Sequence, residues 1–170
     1  GIFYFKMLIT QKPKENNASP HSKTIAVDLE WFEVNKRIQH KTARDGKTFR
    51  LKFLKENPNF QQNEIIHQEN DTNYIINILP CDCLIISPKN NFEIASICYE
   101  IGNKHLPLFY QDNELLVPFE KPLFRQLSAM GFEVKSEKRQ LLIPLKTTVA
   151  PHGASESLFS KIMNLTQKEE

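Results

Sequence analysis

The changes of hydrophobic period between Leu79 and Leu145 leave this stretch few ways to fold. Leu79 to Ser87 is a short run rich in Cys, Leu and Ile, the length and composition of a buried strand. Pro88-Lys89-Asn90 ends it, and Ile94, Cys98 and Ile101 then recur at spacings of four and three, one face of a helix. Asn90 or Asn91 is suited to cap that helix, with Glu93 in its first turn, and the pattern carries it to about Asn103. Pro107 to Tyr110 and Glu114 to Pro118 pair around Gln111-Asp112-Asn113 as a hairpin. Lys121 to Met130 reads as a second helix, with Pro122 near its start and Gly131 at its end. Phe132 to Lys135 and Arg139 to Leu145 are the strands expected to close the unit. Strand, helix, strand, strand, helix, strand is the order of a ferredoxin-like βαββαβ sandwich, which carries both helices on one face of its sheet.

The first half has strand character only. Val27, Leu29 and Trp31 alternate in a strand beginning near Thr24. Arg37 to Thr42 and Lys47 to Leu54 flank Arg44-Asp45-Gly46, and an Asp-Gly pair between apolar alternations signals a tight hairpin that needs positive φ. Phe49, Leu51 and Phe53 share one face of it. Beyond Asn57-Pro58-Asn59, Glu64 to Gln68 and Tyr74 to Leu79 flank Asn70 to Asn73 as a second hairpin. The expected class is α+β: a small all-β domain over residues 1–77, a ferredoxin-like domain over 78–146 and a tail over 147–170. In the tail, Leu158, Phe159, Ile162, Met163 and Leu165 recur at helical spacing behind Ser155, a candidate short amphipathic helix.

Composition removes several functions. The chain has 22 basic and 20 acidic residues, and no basic block with interleaved aromatics, so a nucleic-acid partner is not indicated. No segment has the length of a membrane span. Three cysteines make no disulfide framework, which fits a reducing cytoplasm. With 5 glycines there is no phosphate-cradling loop, and neither a nucleophile elbow nor a paired-carboxylate constellation is present, so the chain does not read as an enzyme. A first residue of Gly in place of Met reads as the mark of processing or of an appended remnant ahead of Met7.

One imidazole stands out. His105 follows Ile101 by four, so it extends the stripe of Ile94, Cys98 and Ile101 just beyond Gly102-Asn103. Its plain role would be to offset a helix dipole or to donate to an orphan carbonyl. Its functional role would be as a metal ligand, and since one imidazole holds a divalent ion poorly, a two-fold dimer would have to supply two. Cys98 is seven positions away, roughly 10 Å along a helix axis, too far for a Cys–His nucleophile pair. Cys81-Asp82-Cys83 puts two thiols on one face of a strand, but its apolar surroundings and the lack of a second pair favour packing over a metal site. His40 and His67 fall in predicted strands and read as surface or structural residues. His21 and His152 fall in loops, from which an imidazole can swing toward a metal. His152 is the better candidate because its segment follows the domain that carries His105.

Tyr99-Glu100-Ile101-Gly102-Asn103-Lys104-His105 closely resembles the helix-end motif of UreE, the urease accessory metallochaperone family. Leu29-Glu30-Trp31-Phe32-Glu33, Asn35-Lys36-Arg37, the Asp45-Gly46 hairpin, Asn113-Glu114-Leu115-Leu116-Val117 and Lys121 to Gly131 extend the resemblance from about Asp28 to Leu145. The resemblance implies a cytoplasmic homodimer in which His105 of two protomers binds one Ni(II) at the interface, with Zn(II) or Cu(II) able to compete in vitro. Histidines of the tail complete the coordination in some members, and His152 is the matching position here. It also implies a peptide-binding N-terminal domain, delivery of nickel to the urease apoprotein and contact with its accessory GTPase. The alternative is a metal-free two-domain scaffold. Two features depart from the family: Lys104 stands where Arg is usual, which keeps the charge but loses the bidentate fork, and the His-rich tail of some members is missing.

Overall fold

β-Branched and aromatic residues at alternating positions build strands along the described residues of the first half of the chain: β1 (Met7–Ile9), β2 (Lys23–Leu29), β3 (Ile38–Thr42), β4 (Thr48–Lys52), β5 (Ile65–Glu69) and β6 (Thr72–Ile78). The computed structural model describes residues 7–14 and 22–145. β1-β4-β3 form one sheet and β2-β6-β5 another, with β1 parallel to β4 and β2 parallel to β6. Ile25, Val27 and Leu29 of one sheet and Phe49 and Leu51 of the other point into a common core with Phe53, Phe60 and Ile76. Residues 44–46 turn the first hairpin as expected, with Gly46 at φ 91°. The second hairpin is tighter than expected. β5 and β6 continue to Glu69 and Thr72, leaving only Asn70 and Asp71 to turn, and Asn70 supplies positive φ.

Trp31 does not continue β2. The chain enters a 3₁₀ turn, Trp31–Glu33, in which the Glu33 carboxylate accepts the Glu30 backbone N–H at 2.9 Å and the Glu33 N–H returns to the Glu30 carbonyl at 2.9 Å. The buried Gln39 amide donates to the carbonyls of Glu33 and Lys36 at 3.1 and 3.2 Å, which holds the turn in place.

The second half contains β7 (Cys81–Ile86), α1 (Asn91–Asn103), β8 (Phe109–Gln111), β9 (Glu114–Pro118), α2 (Lys121–Ala129) and β10 (Val134–Arg139). Its sheet has the order β10-β7-β9-β8 and every pairing is antiparallel. Leu84, Ile86, Leu115 and Val117 project from one face onto Ile97 and Ile101 of α1 and Leu123 and Leu127 of α2. The opposite face carries Cys83, Ile85, Leu116 and Phe109, covered by Leu141 and Trp31. Trp31 meets Phe109 edge to face at 5.8 Å, and the Gln140 side chain donates to the Ile78 carbonyl at 2.7 Å, tying the two halves together.

The two closing strands expected from the sequence are instead one strand, β10, in continuous register with β7 from Val134 opposite Ile86 to Arg139 opposite Cys81. Ser136-Glu137-Lys138 contains no residue at positive φ, so nothing turns the chain there. After Leu141 the chain runs back beside β8: Tyr110 N–H donates to Ile143 O at 3.0 Å and Leu145 N–H to Leu108 O at 2.8 Å. No helix among the described residues is long and apolar enough to cross a membrane.

Candidate metal centre

The helix that presents His105 is fixed at both ends. Asn90 caps α1 by accepting the Glu93 N–H at 2.9 Å, while the Glu93 carboxylate accepts the Lys89 N–H at 2.8 Å. Glu100 of α1 accepts from the Gln126 amide of α2 at 2.7 Å, so the two helices are also locked side by side. At the C-terminus, Lys104 is the cap residue, His105 N–H returns to Gly102 O at 3.0 Å and Leu106 N–H to Ile101 O at 3.4 Å. This is a Schellman ending, closed by the apolar contact of half-buried Leu106 on the core that holds Ile101.

A Schellman ending requires a left-handed residue, and here that residue is His105, at φ 54°. α2 ends in the same motif. Gly131 N–H returns to Ser128 O at 3.0 Å, Phe132 N–H to Leu127 O at 3.1 Å, and the left-handed position, at φ 83°, is a glycine. Glycine takes this conformation without the clash between Cβ and the carbonyl that any other residue meets, a cost of about 1 kcal/mol. The chain bears that cost at α1 and avoids it at α2. Gly102 lies inside α1, which ends at Asn103 as the sequence pattern indicates.

The left-handed turn also corrects the expected stripe. Cys98 and Ile101 do pack toward the sheet, together with the buried Ile97 that the stripe left out, but the chain leaves the helical path before His105, and the imidazole is exposed. The sequence does contain a sign of this, in the matching apolar pairs Ile101/Leu106 and Leu127/Phe132, each with the left-handed residue just before its second member. On the outer side of α1, Phe92 and Tyr99 are 79% and 70% exposed; seven residues apart, they lie on one helix face. Large aromatics so exposed suit a contact with another surface.

His152 and His21 lie outside the described residues, as does the Ser155–Leu165 segment. Leu145, the last described residue, is pinned by its hydrogen bond to Leu108, three residues from His105 in sequence. His40 is exposed on β3. His67 is a packing residue: its ring lies 5.8 Å from those of both Phe49 and Tyr74, and burial, aided by the Lys47 ammonium, lowers its pKa below the usual imidazole value. Cys81 and Cys83 stand with their sulfurs 3.6 Å apart. Burial and the neighbouring thiol push Cys81 up to about 12, and burial also raises Cys83 and Cys98. Among the described residues no three His, Cys, Asp or Glu side chains converge on one point.

Residues 81–154 match the family model described as "UreE urease accessory protein, C-terminal domain". A protein of Flavobacterium johnsoniae named urease accessory protein UreE is 43% identical over 143 residues, 83% of this chain and 87% of its own length. Proteins of the same name from Haemophilus influenzae (37% over 124 residues; 73% and 67% of the two chains) and Helicobacter acinonychis (37% over 132 residues; 75% and 77%) are also similar.

Proposed function

Because this chain belongs to the UreE family of urease accessory proteins, we propose that it is a nickel metallochaperone, binding Ni²⁺ as cargo across a homodimer interface and releasing it for assembly of the urease active site. The observation that carries this reading is the conformation of His105. A left-handed backbone that glycine would adopt freely is given to an exposed imidazole, and strain of this kind is retained where the side chain is needed. The same turn puts the ring outside the protomer's own core, where a second copy can reach it.

Two neutral imidazoles related by a two-fold axis hold a first-row divalent ion at moderate strength and leave positions open for transfer. The exposed Phe92–Tyr99 face is the surface we assign to the partner protomer. His152 follows the pinned Leu145 by seven residues, a span of up to about 25 Å of extended chain, which leaves it within reach as a third donor. Ni²⁺ binds imidazole well, yet Cu²⁺ outranks it in intrinsic affinity and Zn²⁺ also competes, so selectivity depends on supply and on the acceptor. Coordination needs neutral imidazole, so the ion competes with protons for these ring nitrogens.

In this reading residues 78–146 form a ferredoxin-like domain for metal binding and dimerisation. Residues 1–77 form the domain that contacts partners, namely the urease apoprotein and the accessory GTPase in the cytoplasm, and the protein is a carrier rather than an enzyme. Calorimetric titration with Ni²⁺ tests it. We expect one tight ion per dimer, lost in His105→Ala, and a smaller loss in His152→Ala. Tyr99→Glu should shift the dimer to monomers in sedimentation and lose nickel with it. Unchanged nickel affinity in His105→Ala overturns the reading in favour of a metal-free scaffold.

A further inference from the structure

A pair of candidate ligands lies on β7, on the face of the sheet opposite the helix that ends in the histidine turn. Cys81 and Cys83 occupy alternate positions of one strand, so both sulfurs project from the face opposite the helices, 3.6 Å apart. Cys83 is fully buried beside Ile85, Leu116 and Phe109, while Cys81, the first residue of the strand, is half-buried and gives the pair its access to solvent. We propose that Cys81 and Cys83 form a two-coordinate site for a thiophilic monovalent cation of the Cu⁺ class, separate from the nickel site.

Coordination number selects the ion. Tetrahedral Zn²⁺ needs four donors and hydrated Ni²⁺ more, and no third His, Cys, Asp or Glu joins this pair among the described residues. A closed-shell monovalent ion such as Cu⁺ prefers thiolate sulfur and is satisfied by two in a linear arrangement. The sulfurs already face each other, so a small side-chain rotation admits the ion between them.

The surroundings balance the charge. Binding one Cu⁺ releases two thiol protons to solvent and leaves a dithiolate complex of charge −1. Asp82 and Glu30 beside Cys81 disfavour bare thiolates and attract a cation. Arg139, opposite Cys81 in the ladder, has a guanidinium that eases the charging of Cys83 and a backbone carbonyl that accepts from the Cys83 thiol at 3.5 Å. The pair therefore remains protonated at neutral pH until an ion displaces both protons. With two protons released per ion, affinity should rise by about 100-fold for each unit of pH.

The test is anaerobic titration of the full reduced chain with Cu⁺ supplied as its bicinchoninate complex. Wild type, His105→Ala and Cys98→Ser should each withdraw one Cu⁺ per chain, and Cys81→Ser should lose about 100-fold or more in affinity. X-ray absorption of the Cu⁺-loaded wild type should show two sulfur neighbours, a result that needs no variant to fold. Failure of wild type to withdraw Cu⁺, undiminished affinity in Cys81→Ser, loss on replacing Cys98 or His105, or nitrogen ligands in the absorption spectrum would each overturn the site. Loss on replacing His105 would move Cu⁺ to the histidine turn, whereas failure of wild type to withdraw Cu⁺ or undiminished affinity in Cys81→Ser would leave the nickel reading untouched.

Discussion

His105 occupies a backbone position that favours another residue, and the same molecule shows which. At the end of α2 the equivalent position is Gly131. Replacing His105 by Gly should therefore stabilise the protein by about 1 kcal/mol while abolishing tight nickel binding. Chemical denaturation and calorimetric titration of the same variant measure the two effects, and they should move in opposite directions. A destabilised His105→Gly variant would mean that the ring makes native contacts which outweigh its strained backbone. The strain itself was not visible from residue spacing. Spacing puts His105 on an apolar stripe because it assumes a helix continuing through Lys104, whereas the ending is decided by Leu106 closing onto the core that holds Ile101.

At the level of elements, hydrogen-bonding side chains and turn residues set the boundaries. Asn90 and Glu93 define the start of α1 by accepting the backbone N–H groups of Glu93 and Lys89, respectively. Asn90→Ala should cost about 1 kcal/mol in thermal or denaturant unfolding, with nickel affinity unchanged because the cap lies at the far end of the helix from His105. Both helices, the Asp45-Gly46 hairpin and the Phe49, Leu51 and Phe53 face were legible in the sequence, since each has a strong period or a turn residue of definite chemistry. Three features were not. β1 is only three residues long and gains its place by parallel pairing with β4, a non-local contact with no local signature. Trp31 has strand propensity, but the reciprocal Glu30 and Glu33 bonds draw it into a 3₁₀ turn. β10 continues through three polar residues that look like a turn, because its pairing with β7 runs unbroken along them. Of the candidate site, the place of His105 at a helix end is legible in the sequence, but neither its handedness nor its exposure.

For the whole molecule, the junction between the halves is a mixed contact. The Trp31 ring lies on Phe109, and the Gln140 amide bonds to the Ile78 carbonyl at 2.7 Å. Trp31→Ala removes the larger apolar part and should cost roughly 2 kcal/mol, less than a fully buried tryptophan. Scanning calorimetry should then resolve two transitions where wild type shows one, and a single transition in the variant would mean that the halves unfold together without Trp31.

The strip from Leu141 to Leu145 matters to anyone who shortens this chain to remove its tail histidine. β8 is the outermost strand of its sheet, and that strip covers its free rim through Tyr110 and Leu108. A cut after Leu145 leaves the cover in place. A cut ahead of Leu141 would bare an open set of backbone donors and acceptors, ready to pair with a neighbouring chain. Metal lost by that shorter protein would then report self-association rather than a missing ligand.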